Sequence, residues 1–143
     1  MIEGGCLCGG IRYRVTGKLG PAGFCHCKQC QRASGTAFAA NAPVRTKYFE
    51  LFSGSELVSD YESSPGKLRS FCRRCGSPVW TRRTTEPDLL RLRLGSLDGD
   101  PGRRPLGHVW VSAAAPWYAI LDSLPQYPEG MPPDAAPPGA GKR

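Results

Sequence analysis

Residues 24–35 read FCHCKQCQRASG, which places Cys25, Cys27 and Cys30 within six residues and offers no fourth cysteine beside them. Two thiols at i and i+2 do not readily close a local disulfide of ordinary geometry. The other four of the seven cysteines fall into two groups, Cys6-Leu7-Cys8 as C-x-C and Cys72 with Cys75 as C-x-x-C in CRRCGSPVW. The N-terminus, MIEGGCLCGG, has neither the basic nor the apolar region of a secretory signal, so a cytoplasmic, reducing compartment is expected. There, an odd number of grouped thiols points to metal or redox chemistry rather than to disulfides.

The pair Cys72 and Cys75, followed by Gly76, has the form of a zinc knuckle. Two thiolates chelate, backbone N–H groups of the turn soften their charge, and the glycine lets the chain leave with a positive φ. A closed structural zinc site needs four ligands, and Cys6 with Cys8 supplies the complement. A Cys6, Cys8, Cys72, Cys75 site would tie the N-terminal strand to the middle of the chain, and long closures of this kind stabilise a small β domain most. That leaves Cys25, Cys27 and Cys30, three thiolates with a vacant fourth position, which describe an open zinc site receptive to another thiolate. The alternatives are a closed site completed by His26 or His108, and a metal-free redox cluster. Two zinc ions per chain are expected.

Away from the cysteines the chain reads as all-β, one domain of short antiparallel strands. Ile11, Tyr13 and Val15 alternate with Arg12, Arg14 and Thr16, and Leu90, Leu92 and Leu94 alternate with Arg91 and Arg93, the period of half-buried strands. Further strands are expected in 37–44, 48–52, 57–61, 68–72, 79–81 and 108–111, separated by Gly17, Gly20-Pro21, Ser53-Gly54, Pro65-Gly66, Gly99, Gly102 and Gly107. No long helical period is present, although a short helical turn could follow Cys30. From Pro128 the chain becomes PEGMPPDAAPPGAGKR, so the expected organisation is a zinc-binding domain over 1–127 and a disordered tail over 128–143.

The formal net charge is +7 over 143 residues. If all seven thiols ionised around two zinc ions they would add 4 − 7 = −3 and leave about +4. The basic residues are scattered without a block of five or six, and the interleaved aromatics of single-strand binders are missing, which argues against nucleic acid. No run of about 18 apolar residues is present to span a membrane.

Four stretches, GGCLCGGIRYRV, FCHCKQCQRASGTAF, FCRRCGSPVW and HVWVSAAAPWYAILDSLPQY, resemble the glutathione-dependent formaldehyde-activating family, also called the centromere protein V domain family. The resemblance runs from about Gly4 to Tyr127. It implies a β-tent fold and two zinc ions, a structural one matched by Cys6, Cys8, Cys72 and Cys75 and a second, where the thiol of glutathione is taken, matched by Cys25, Cys27 and Cys30. It also implies a carbon–sulfur lyase that condenses glutathione with formaldehyde to S-hydroxymethylglutathione. Glutathione is net negative, so a basic rim suits it; Arg32 and Lys28, beside the three cysteines, are the candidate carboxylate contacts, and Ser34 or Thr36 a candidate donor to a bound thiolate or oxyanion. A non-catalytic zinc-stabilised binding module and a thiol- or redox-responsive zinc protein are the competing readings. The sequence leaves open the true thiol and aldehyde and the oligomeric state.

Overall fold

The structure is a computed structural model and describes residues 1–132. In chain order the elements are β1 (Ile2–Gly5), β2 (Arg12–Val15), β3 (Ala22–Cys25), helix α1 (Lys28–Ser34), β4 (Ala39–Arg45), β5 (Phe49–Ser53), β6 (Val58–Ser64), β7 (Lys67–Cys72), β8 (Pro78–Arg83), β9 (Leu89–Arg93) and β10 (Pro105–Val109), with short 3₁₀ turns between some of them. The expected strands are present within a few residues of their expected positions. β1 and β3 were not anticipated: Ile2-Glu3-Gly4-Gly5 and Ala22-Gly23-Phe24-Cys25 are too glycine-rich to show alternation, and pairing partners hold them instead.

β1, β2 and β5 form a three-stranded sheet, and the other seven strands form a second in the order β10-β3-β4-β9-β8-β7-β6. The expectation of antiparallel strands needs one correction, since β10 lies parallel to β3, with His108 opposite Phe24 and Val109 opposite Cys25. A parallel neighbour requires a long crossover, and the chain between β3 and β10 provides it. The resulting all-β domain agrees with the alternation read from the sequence.

The core lies between the sheets. Ile11, Tyr13 and Val15 are fully buried and meet Ala42, Val44, Leu90 and Leu92 from the larger sheet. Tyr13, Phe49 and Trp80 pack as an aromatic triangle, with ring centroids 5.1–6.0 Å apart. The Tyr13 hydroxyl bonds the Ser96 hydroxyl at 2.6 Å, while burial pushes its pKa up to about 12. Register then fixes the opposite face. Trp80, Leu92 and Ala42 share one row and point to the core, so the next row, Arg69, Thr81, Arg91 and Pro43, points outward.

Most of the expected tail, residues 133–143, lies outside the described residues. Its first residues make backbone hydrogen bonds: Pro128 O accepts from Ser112 N at 3.1 Å and Glu129 O from Trp110 N at 2.8 Å.

Candidate functional site

Two clusters of cysteines have sulfurs that lie mutually within 4.8 Å, Cys6 with Cys8, Cys72 and Cys75, and Cys25 with Cys27 and Cys30. Each is placed to hold a metal ion. The first is made by two turns. Cys6 follows β1 and its sulfur accepts from Ile11 N at 3.2 Å; Cys72 ends β7 in the core. Gly76, with φ +80°, closes the second turn by donating to Cys72 O at 2.7 Å, the conformation expected of a knuckle glycine. A tetrahedron with zinc–sulfur bonds of about 2.3 Å has edges near 3.8 Å. The Cys6–Cys8 and Cys8–Cys72 sulfur separations are 3.5 and 3.9 Å. Donors already surround the sulfurs: Arg74 Nε reaches Cys8 Sγ at 3.3 Å, and the Ser77 hydroxyl lies 3.2 Å from Cys75 Sγ. The Ser77 contact, with its backbone N–H, lowers the Cys75 pKa to about 5.

The second cluster is local. Cys25 ends β3, Cys27 is the N-cap of α1, and Cys30 sits in the first helical turn. The Cys27 sulfur accepts from Cys30 N at 3.3 Å, so the cap that starts the helix also aims two sulfurs at each other. The helix ends at Gly35, whose N–H donates to Gln31 O at 2.8 Å. Negative charge in the cluster settles on Cys30. Its pKa is driven down by the Cys25 and Cys27 sulfurs and by Arg69, while Cys25 is driven up by the Cys27 and Cys30 sulfurs and by burial. Arg69 brings Nη1 to 3.8 Å from Cys30 Sγ.

Neither histidine joins the three sulfurs. His26 and His108 are buried and bond each other, Nε2 to Nδ1, at 2.8 Å, and His108 Nε2 lies 3.1 Å from both Asp122 carboxylate oxygens. Burial, with His108 beside it, lowers the His26 pKa. Gln31 locks this layer by donating to His26 O at 2.7 Å and Ala113 O at 2.8 Å. Among the described residues, no histidine or carboxylate completes the Cys25, Cys27, Cys30 set.

The three expected contact residues are near but engaged differently. Lys28 is exposed and its ammonium reaches Gln31 Oε1 at 3.5 Å; Arg32 is exposed in the last turn of α1. Ser34 donates to Phe38 O at 3.0 Å and accepts from Thr36 N, which is helix-end turn chemistry. The residues that sequence reasoning missed are Arg69 and Arg93. Both stand on the outward face, beside Cys30, and their alternation with Leu68 and Leu92 was visible, but which face meets the cysteines was not. A cavity of about 530 Å³ lies between the end of α1 and the four-cysteine region, lined in part by Ser34, Thr36, Phe38, Arg93, Cys6 and Ser77; Cys25, Cys27 and Cys30 do not line it.

Residues 1–113 match the family model of the glutathione-dependent formaldehyde-activating enzyme. A Halomonas elongata protein assigned the same name is 32% identical, over 84% of this chain and 81% of its own. A crystal structure of a Rhodobacter sphaeroides protein superposes with a TM-score of 0.59 at 21% identity, covering 87% of this chain and 98% of that one, and so shares the fold.

Proposed function

The chain belongs to the glutathione-dependent formaldehyde-activating family, and from that premise we propose that it is a zinc-dependent carbon–sulfur lyase joining glutathione and formaldehyde into S-hydroxymethylglutathione, and cleaving that adduct in reverse. The observation that carries the zinc reading is the three-sulfur cluster, which gathers three soft donors and leaves one tetrahedral position unfilled by a described side chain. The four-cysteine cluster is assigned the structural ion. Cys25, Cys27 and Cys30 would hold the second zinc ion, which would supply the Lewis acidity that lowers the pKa of a substrate thiol.

The protein's own residues do the rest. The β3–α1 corner carries the three cysteines and so would set where a substrate sulfur meets them, and the Arg69 guanidinium, 3.8 Å from Cys30 Sγ, would offset negative charge there. The thiolate sulfur adds its electron pair to the carbonyl carbon of formaldehyde, the carbonyl π pair moves to oxygen, and that oxygen takes a proton from solvent. No oxidant or reductant enters. The addition is feasible without catalysis, so binding and orientation are the main contributions asked of the site.

The test replaces the metal with cobalt and titrates the loaded protein with glutathione while following the sulfur-to-metal absorption. A further thiolate should change the band in the parent and should fail to do so in Cys27→Ser. An unchanged band in the parent at saturating glutathione refutes the thiol reading.

A further inference from the structure

Six arginines on the described surface have carboxylate partners: Arg12, Arg14, Arg45, Arg82, Arg91 and Arg104. Four cations on the outward face of the larger sheet have none among the described residues, namely Lys67, Arg69, Arg83 and Arg93. Arg93 is the most demanding of them. It is 6% exposed, its Nη1 donates to the amide oxygen of Asn41 at 2.7 Å, its Nε is buried with no partner, and the anion that acts on it is the Cys30 sulfur. A buried guanidinium without a carboxylate is costly, and this one has a cysteine sulfur as its nearby anion and lines a cavity that also holds Ser34 and Thr36 from the end of α1. At the other end, Lys67 pairs across strands with Arg83, and burial, then Arg83, Arg91 and Arg69, lowers its pKa to about 8.

We propose that these cations form two poles on either side of Cys30, Arg93 at one and Lys67 with Arg83 at the other, and that the poles bind the two carboxylates of the thiol substrate. This rests on the thiol reading above. Register gives the spacing. Arg69 and Arg91 share a row through Thr81, Lys67 stands two residues before Arg69 on β7, and Arg93 stands two residues after Arg91 on β9. β7 and β9 run in the same direction, so the poles are four residues apart along the strands, about 13 Å, and one strand (Arg83) or two strands (Lys67) apart across the sheet, roughly 14–16 Å between backbones, a span that long cationic side chains shorten by leaning inward. A γ-linked tripeptide places its terminal carboxylates about 10–12 Å apart with the thiol between them. The Cys30 sulfur lies within reach of Arg69, from the middle row, and of Arg93. A net-negative, doubly carboxylated thiol fits this face; a neutral or amine thiol does not.

The competing role for these cations is to balance the charge of the cysteine sulfurs, and carboxylate-free probes separate the two. Zinc-loaded parent, Lys67→Met and Arg93→Gln are titrated by calorimetry with glutathione, glutathione diethyl ester and S-methylglutathione. Lys67 is half-buried at the end of a strand, so Lys67→Met keeps the test usable should Arg93→Gln fold poorly. The parent should prefer glutathione to the diester by about 10-fold or more, and Lys67→Met should weaken glutathione by about 10-fold while leaving the diester within about two-fold. S-methylglutathione, which keeps both carboxylates and has no thiol, should bind the parent and lose affinity in Lys67→Met. Equal affinity of the parent for glutathione and its diester, or equal losses for both in the variants, overturns the poles and makes these cations sulfur-charge balancers. Binding of S-methylglutathione that depends on Lys67, with no change of the cobalt band on adding glutathione, keeps the poles and refutes the thiol reading instead.

Discussion

Cys72→Ser and Cys27→Ser separate the two cysteine clusters by the length of chain each one closes. The Cys8–Cys72 contact spans 64 residues, whereas Cys25 to Cys30 spans five. Loop-closure entropy grows as (3/2)RT ln n, which gives about 3.7 kcal/mol for the long closure and about 1.4 kcal/mol for the short one. The difference of about 2 kcal/mol is a lower bound for the gap between the variants, because Cys72 is fully buried and a serine hydroxyl there adds the cost of an unsatisfied polar group. Cys27→Ser, in contrast, puts serine at an N-cap, a position it favours, so the helix keeps its start. In thermal unfolding of the metal-loaded proteins, Cys72→Ser should melt roughly 5–10 °C below Cys27→Ser. The gap should narrow after chelation, since the long closure depends on the ion. Equal losses in the two variants, before chelation, would show that the three-cysteine cluster is a second structural clip and that the division of roles is wrong.

Two further predictions follow from particular contacts. Burial and its cationic neighbours hold the folded-state pKa of Lys67 at about 8, below the 10.5 of an ordinary lysine, so its charge destabilises the fold below pH 8 and that penalty fades as pH rises toward 10.5. Lys67→Met should therefore be more stable than the parent at pH 7, with the advantage shrinking between pH 8 and 10.5 in denaturant unfolding; a constant or widening advantage contradicts the linkage. A chain ended at Gln126 loses the acceptors for Trp110 N, Val111 N and Ser112 N, so it should melt below a chain ended at Gly130, which keeps Tyr127, Pro128 and Glu129. Coincident melting curves would show that those bonds contribute nothing.

The grouping of cysteines, the alternation of Ile11-Tyr13-Val15 and Leu90-Leu92, and the glycine after Cys75 are local signals. They were enough for an all-β class, for both cysteine sets and for the positive φ at Gly76. Metal chelation and strand period are written over a few residues, so a sequence carries them directly. Register, by contrast, is a property of pairs of strands. It alone decides that Arg69, Arg91 and Arg93 turn away from the core onto the face that carries Cys30, while Lys28 and Arg32, nearer in sequence, are left exposed on the helix. The same holds for His26, which is flanked by two cysteines yet spends its ring on His108, 82 residues away, because an extended segment sends successive side chains to opposite sides. The cysteine groups are thus set by spacing within the chain, and the charged surroundings of Cys30 are set by which strands lie side by side.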